Sequence, residues 1–465
     1  MKRIINYKFL IAGIGLLNLQ SCFVAKDYDQ PEVVKEDYYR TDNIEQDSLN
    51  MATISWTEMF TDPILQDYIE QGLQNNIDIR IALQQIIAAE AYVKQGKAGY
   101  LPTINGNASY THQKLSENSQ FGNQFSSLDQ YQLSADLSWE ADIWGKIRSQ
   151  KRAFDASYLQ SIAAHQAVKT RLIANIASTY YQLLSLDEQI KITEETIDNR
   201  ENSLETTQAL KEAGNLTEVG VKQTEAQLYT AQGILIDLKN QERLLENTLS
   251  ILLGVAPIQI ERSELEEQEI TTDLNIGVPV QLLRNRPDVI AAEYDLVNAF
   301  ELTNLAKSNF YPSLRLTATG GLQALESGDL FNASSLFATV MGGLAQPILN
   351  GRRIRTEYEV SVAQQEQARL EFRRAILTAS KEVSDALYSY EAATNKIEVK
   401  QKEYNAYDLA TEYSEELLNN GLANYLEVLT ARENALNSSL DLSNAKYNQL
   451  KAVVDLYEAL GGGWK

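Results

Sequence analysis

The sequence predicts a mainly α-helical chain with a transmembrane β-barrel part, in which each subunit gives four strands and long coiled-coil helices to a closed assembly. Three observations in its 465 residues predict this. Two very long stretches hold neither glycine nor proline. Four short stretches alternate apolar and polar residues. The landmarks of the first half recur in the second at a nearly constant distance.

The duplication sets the frame. Tyr100-Leu101-Pro102 recurs as Phe310-Tyr311-Pro312, an offset of 210. Ile143-Trp144-Gly145-Lys146 recurs as Leu349-Asn350-Gly351-Arg352, an offset of 206, and Ala213-Gly214-Asn215-Leu216 as Asn420-Gly421-Leu422-Ala423, an offset of 207. Each half then reads helix, Pro-started strand, loop, strand, Gly, very long helix, Gly turn, helix. The expected organisation is a signal peptide over 1–21, an N-terminal tail and belt segment over 22–61, and a first repeat over 62–254. A linker in the belt region spans 255–285, a second repeat 286–460 and a C-terminal tail 461–465.

The long runs are 68 residues between Gly145 and Gly214 and 69 between Gly351 and Gly421. As helices they measure about 100 Å each at 1.5 Å per residue. Phe372, Ile376, Ala379, Val383, Ala386, Tyr390, Ala393 and Ile397 step by four and three, the spacing of a coiled-coil seam. Leu172, Ile176, Thr179, Leu183, Leu186 and Ile190 do the same. A second stripe, Ile173, Ala177, Tyr180 and Leu184, lies about 100° around the helix, so this helix needs two neighbours. Shorter helices are expected near 63–98, 219–252, 287–308 and 425–460.

The strands follow Pro102 and Pro312. Ile104, Gly106, Ala108 and Tyr110 share one face, opposite Thr103, Asn105, Asn107, Ser109 and Thr111. Tyr131, Leu133, Ala135, Leu137, Trp139, Ala141 and Ile143 alternate with polar residues, among them Asp136, Glu140 and Asp142, which are expected to face the lumen. Leu314, Leu316, Ala318 and Leu322 repeat the pattern, and a fourth strand near 336–346 alternates only weakly. Such strands suit a lipid-facing barrel with a wet interior. Aromatics gather where strands meet helices (Tyr100, Trp139, Trp144, Phe310 and Tyr311), as in an interfacial girdle. Four strands cannot close, and an open edge cannot sit in lipid. Two copies give eight strands around a filled interior, whereas three give twelve and leave a pore, so a homotrimer is the smallest solution with a lumen.

Composition excludes several function classes. The net charge of −22 argues against a nucleic-acid partner. The single cysteine, Cys22, excludes an intrachain disulfide and any cysteine-based metal cluster. No phosphate-binding Gly-Lys loop, zinc-ligand pair or catalytic thiol is present, so neither an enzyme nor a cofactor is expected. The two histidines, His112 and His165, stand far apart and are read as incidental. Lys2 and Arg3, the apolar run over 11–19 and then Leu19-Gln20-Ser21-Cys22 resemble a bacterial lipoprotein signal and cleavage box, with Gln20 where a small residue is usual. Cys22 is then the acylated N-terminus, tethering the protein to outer-membrane lipid. No later run is long and apolar enough for a spanning helix.

Taken in order, the residues resemble the outer-membrane efflux channels of the TolC type, specifically the lipoprotein branch serving resistance-nodulation-division (RND) pumps. The resemblance covers nearly all of the mature chain. It rests on Leu101-Pro102-Thr103-Ile104, Asp142-Ile143-Trp144-Gly145-Lys146-Ile147-Arg148 and Arg286-Pro287-Asp288-Val289-Ile290-Ala291-Ala292-Glu293. It continues through Gln346-Pro347-Ile348-Leu349-Asn350-Gly351-Arg352, the stretch from Gly421 to Ala431, and Ala459-Leu460-Gly461-Gly462-Gly463-Trp464. It implies a trimeric tunnel with a twelve-stranded barrel in the outer membrane and a helical barrel in the periplasm. A periplasmic adaptor docks at the helical tip and an inner-membrane RND-type pump supplies energy, so the channel itself is passive. The alternatives within reach are the outer-membrane component of a type I protein secretion system and a periplasmic adaptor lipoprotein.

The resemblance also implies where the periplasmic gate lies. Leu426-Glu427-Val428-Leu429-Thr430-Ala431 matches the segment that rings the periplasmic entrance. Glu427 falls on a position that is acidic in some members, and Leu426 narrows the same entrance by packing. Thr430 stands where an aspartate is usual, a departure from the pattern. The turns at Gly214-Asn215 and Gly421-Leu422-Ala423 are the expected helical tips and adaptor contacts.

Overall fold

The computed structural model describes residues 24–31, 51–120, 122, 124, 126–268 and 281–464. The signal segment and Cys22 lie outside the described residues, as do parts of the 22–61 tail and the 255–285 linker. The described chain forms two compact units, each drawing on both halves of the sequence. One comprises 24–31, 85–161 and 292–372; the other takes in 51–84, 162–268, 281–291 and 373–464.

The first unit holds a four-stranded antiparallel sheet. Strands β1 (Thr103–Lys114), β2 (Ser127–Ala141), β3 (Ser313–Ala324) and β4 (Leu336–Ala345) lie side by side in sequence order. Leu137 is registered between Ile104 and Ala318, and Ala318 in turn faces Val340. The weakly alternating fourth strand sets Leu336, Ala338, Val340, Gly342 and Leu344 on one face; the alternation is weak because the other face carries the apolar Phe337 and Met341. The outer edges of β1 and β4 have no strand partner among the described residues.

The sheet base is fixed by polar contacts from the aromatics singled out in the sequence. Trp144 Nε1 donates to the Pro312 carbonyl at 2.8 Å, and its ring stacks on Tyr311 at 4.9 Å. Trp139 Nε1 donates to the Tyr100 carbonyl at 3.0 Å. Asp142 corrects the expectation of a lumen-facing strand residue. Strand β2 ends at Ala141, and the Asp142 carboxylate accepts from the amides of Ile147 at 2.8 Å and Arg148 at 3.0 Å. It satisfies the orphan donors at the start of the next helix, where an anion also meets the positive end of the dipole.

Seven helices exceed two turns among the described residues: α1 (Pro63–Asn75), α2 (Ile77–Ala98), α3 (Lys146–Glu212), α4 (Glu218–Leu252), α5 (Pro287–Ser308), α6 (Arg353–Asn419) and α7 (Tyr425–Ala459). The long helices α3 and α6 have 67 residues each and the returning helices α4 and α7 have 35 each. The seams are buried as their spacing requires: Leu172, Ile176, Thr179, Leu183 and Leu186 on α3, and Phe372, Ile376, Ala379, Val383, Ala386 and Ala393 on α6. The second α3 stripe, Ile173, Ala177, Tyr180 and Leu184, is buried as well.

The helix expected over 63–98 breaks in the second unit. Asn76, buried and extended, ends α1 and caps α2: its Oδ1 accepts from the amides of Asp78 at 2.9 Å and Ile79 at 3.2 Å. Its Nδ2 donates to the Leu252 carbonyl at the end of α4, at 2.9 Å. The second half repeats the joint. A short turn, Leu282–Asn285, stops at Arg286, whose Nη1 donates to the Ala459 carbonyl at the end of α7, at 3.0 Å. At each joint a glycine with positive φ (Gly254, +73°; Gly461, +86°) lies against the carbonyl of Asn75 or Asn285, so closely that a Cβ would collide with it.

The described part of the linker is latched to the same unit. Arg262, 10% exposed at its side chain, pairs with Asp187 on α3 and with Glu242 and Glu246 on α4. Asp62 caps α1 and also accepts from Tyr180 Oη at 2.7 Å, from Ser263 Oγ and from Gln268 Nε2 at 3.1 Å. Burial alone would raise its pKa; the hydrogen bonds from Ser263, Tyr180, the Ile64 amide and Gln268 outweigh this and hold it below the usual aspartate range.

A candidate transmembrane sheet and helical hairpin turns

The two faces of the sheet differ in chemistry and in exposure. One carries Ile104, Leu133, Trp139, Leu314, Leu316, Leu336, Val340 and Leu344, all exposed, the last three at about 70%. From the row of Ala141, Leu314 and Leu344 to the row of Tyr110 and Tyr131, this face holds only apolar, aromatic and glycine residues. The distance is ten residues along β2, or about 34 Å. At the tilt of about 40° usual in membrane barrels it becomes about 26 Å of height, matching an outer-membrane apolar band of about 25 Å. Above Tyr110 the same face turns polar with His112 and Asp129, 2.7 Å apart. Beyond the single strand face, no described helix is long and apolar enough to cross a membrane.

The opposite face is polar and internally bonded on β1, β2 and β3, whereas β4 sets Phe337, Thr339 and Met341 there. Asp136 accepts from Asn107 on β1 and from Thr319 Oγ1 on β3 at 2.6 Å. Glu140 pairs with Lys146 at 3.0 Å and with Arg315 at 3.2 Å. The charge of Glu140 is therefore balanced on two sides, while Asp136 has only neutral partners among the described residues. Of the three acids expected to face a lumen, two lie on this face and the third is the helix cap.

In the second unit both hairpin turns use one device. Gly214 and Gly421 have φ of +80° and +73°, the left-handed conformation that costs glycine least. The following amide reaches back to close the helix: Asn215 to the Leu210 carbonyl and Leu422 to the Leu417 carbonyl, both at 2.8 Å. Asn424 then caps α7 by accepting from the Leu426 amide at 3.0 Å. Leu426, Glu427 and Thr430 share the exposed face of the first turns of α7, and Tyr425, Val428 and Leu429 face inward. Leu422 is 76% exposed beside them. A first-turn carboxylate such as Glu427 also suits the helix dipole.

Sequence reasoning missed the residues that fasten these turns. Thr224 Oγ1 and Tyr425 Oη are 2.7 Å apart. Arg200, 3% exposed, binds Glu433 at 2.9 Å and the Gln227 carbonyl. Arg432 binds Glu415 at 2.6 Å and Ser203. Arg200, Tyr425 and Arg432 line a cleft of about 900 Å³ with Tyr404. A signal existed: Arg200 falls on the continuation of the α3 seam through Ile190, Thr193 and Ile197, where a charge must be buried and paired.

The whole chain has counterparts of this design. The outer membrane efflux protein family model matches residues 68–255 and 278–462. The solvent efflux pump outer membrane protein SrpC of Pseudomonas putida is 28% identical over 458 residues, covering 97% of each chain. The cation efflux system protein CusC of Escherichia coli is 26% identical over 453 residues, again covering 97% of both. Among solved structures, the open-state Neisseria gonorrhoeae MtrE outer membrane channel superposes with a TM-score of 0.84 at 24% identity, over 96% of this chain and 99% of that one. Duplicated halves, a sheet apolar on its exposed face and long paired helices thus agree with a family match over most of the length, and the chain belongs to the outer membrane efflux protein family.

Proposed function

We propose that this chain is one subunit of a homotrimeric, passive exit duct in the outer membrane. It receives small toxic compounds from a periplasmic adaptor and an inner-membrane RND-type pump, and performs no chemistry of its own. The observation that carries this reading is the exposed apolar band of the sheet, flanked by two strand edges that only further copies of β1 and β4 can satisfy in lipid. Relatives named for solvent, toluene and cation efflux support export of small solutes.

Lipid anchoring at Cys22 belongs to the same reading. Val24 is buried, and Ala25 lies against Gly145, four residues beyond the end of β2. Lys26 exchanges two hydrogen bonds with Asn304, of 3.2 and 3.0 Å, and Asp27 pairs with Arg152 at 3.0 Å. A chain reaches at most about 3.6 Å per residue, so acyl groups on Cys22 are tethered within roughly 7 Å of the Val24 backbone. Labelled palmitate is expected to enter the protein and to be lost with Cys22→Ser.

The gate is assigned to Glu427, Leu426 and Thr430, and adaptor contact to Gly214, Asn215, Gly421, Leu422 and Ala423. Support comes from their shared exposure and from the Asn424-capped turn that presents them. Single-channel conductance in a planar bilayer tests both levels. Discrete openings of purified trimers support the duct, and a lower cation preference with Glu427→Gln supports the gate. Openings unchanged in that variant remove the gate assignment alone. Folded trimers that never conduct, even with Leu426→Ser, overturn the duct.

A further inference from the structure

The two halves turn the same corner from strand to long helix and finish it differently. In the first half, Ile143-Trp144-Gly145-Lys146 joins β2 to α3 and is closed over. Trp144 stacks on Tyr311, and Ala25 of the N-terminal segment lies against Gly145. The nearby cations are committed inside the chain: Lys146 to Glu140, Lys151 to Asp155, and Arg152 to Asp27 and Glu301. In the second half, Leu349-Asn350-Gly351-Arg352 joins β4 to α6 and is open. Ile348 is 91% exposed and Leu349 96%, the two most exposed large apolar side chains among the described residues. Arg352, Arg353 and Arg355 follow, each with at least 64% of its side chain exposed.

A corner facing only water gains nothing from this construction. Arg352 holds φ at +67°, the only non-glycine residue among the described ones in the left-handed region, a conformation that costs any residue with a Cβ. Three cations stand at the start of α6, where the helix dipole favours anions, and they do so in a chain of net charge −22. Their partners inside the chain are Glu357 and Glu359, both about half exposed and further along α6. Exposed pairs of this kind are worth little, so the guanidinium groups turn to other anions at small cost. Exposed apolar side chains with a charged rim mark an interaction surface.

The position says what that surface meets. The apolar band of the sheet ends on β4 at Leu344, and the chain covers at most about 14 Å from there to Ile348. Gln346 Nε2 donates to the Phe310 carbonyl at 3.2 Å and holds the corner beside Phe310 and Tyr311, exposed aromatics at the foot of β3. Aromatics so placed mark the headgroup level of a bilayer. Apolar side chains continuous with the lipid-facing band, followed directly by arginines, match the order of acyl chain and then phosphate. Resting on the outer-membrane reading above, we infer that the β4–α6 corner is a lipid-binding foot. Ile348 and Leu349 enter the acyl edge of the periplasmic leaflet, and Arg352, Arg353 and Arg355 bind the phosphates of anionic phospholipids such as phosphatidylglycerol. The acyl group proposed on Cys22 ties the first corner to lipid and the foot ties the second, so each half of the duplication has its own hold on the membrane.

Reconstitution of the full chain tests the foot. In nanodiscs of phosphatidylcholine and phosphatidylglycerol, a fluorophore on Leu349→Cys is expected to be quenched by doxyl groups near the top of the acyl chains. The same fluorophore on Val219→Cys, beside the hairpin turn at Gly214, is expected to be quenched severalfold less, with the labelled native chain as the blank. In native mass spectrometry the protein is expected to retain phosphatidylglycerol over phosphatidylcholine. Replacing all three arginines by glutamine is expected to lower that preference about tenfold, and replacing them by lysine to keep most of it. Equal retention of both lipids by the native chain, or a preference that the glutamine variant keeps, overturns the arginine contact. A Leu349 label shielded from water yet unquenched by lipid, in trimers that conduct, means that the pair packs on a neighbouring copy; it overturns the foot and leaves the duct. Protein that neither enters the nanodisc nor conducts overturns the outer-membrane reading itself. The label and the native chain's lipid preference require no arginine variant, so both stay decisive if the glutamine variant fails to fold.

Discussion

The two halves build the same joint from different chemistry. In the first, neutral Asn76 spans the helix break and reaches the end of α4. In the second, Arg286 does so, 7% exposed and ringed by Asp288 at 2.6 Å and Glu382 at 2.5 Å. Beyond them the counterpart of Ile251 is Glu458, whose carboxyl burial pushes up to about 7 despite nearby Arg171 and Arg286. Both joints keep a positive-φ glycine against the preceding carbonyl, and they differ in the side chain that spans the break. One joint is held by hydrogen bonds that ignore pH and salt, and the other by charges that do not.

The largest expected break in this symmetry is Arg286→Met. It strands the Asp288 and Glu382 carboxylates and frees the Ala459 carbonyl, at a cost of about 3–5 kcal/mol. Asn76→Ala leaves only neutral groups unsatisfied and is expected to cost about 1–3 kcal/mol. Denaturant unfolding of the detergent-solubilised protein separates the two, and equal losses would remove the distinction.

Acidity sharpens the contrast next. Glu458 has a folded pKa above the ordinary 4.5, so its stabilising share is complete below pH 4.5 and lost as pH rises through about 7. The full swing is up to about 3 kcal/mol. Melting temperatures at pH 5 and pH 8 should differ in the native chain and converge in Glu458→Gln. A native chain with no such slope sinks the assignment.

The smallest expected effects lie on the sheet, where the halves also differ: β2 carries Glu140 and β3 answers it with Arg315. Glu140→Gln leaves Arg315 and Lys146 unbalanced and should move the reversal potential toward anions. Asp136→Asn removes a carboxylate with neutral partners and should lower cation preference without that overshoot. A shift of equal size from both would mean the Glu140 ion pairs do not form.

Much of this architecture was legible because it is written in periods and absences. The absence of glycine and proline over 146–213 leaves a helix little to break it, and the seam residues announce their burial by spacing. What escaped was chemistry without a period. Asn76 breaks a helix by using its side chain as a cap, yet asparagine within helices is common enough to pass unnoticed. Asp142 continued the strand alternation one step past the last ladder bond. Arg262 meets Asp187 from 75 residues away, and no local pattern records that. Leu426, Glu427 and Thr430 came from resemblance; spacing alone shows only that they share an exposed face.

The matched lengths of α3 and α6 have a consequence for how such a chain can change. One residue inserted into either advances everything beyond it by about 1.5 Å and turns it by about 100°. The two hairpins would then fall out of phase, and Arg200, Thr224 and Tyr425 would miss their partners. A drift in length is tolerable only when both hairpins acquire it together. The duplicated chain behaves as a vernier, two scales that can be lengthened but not slid.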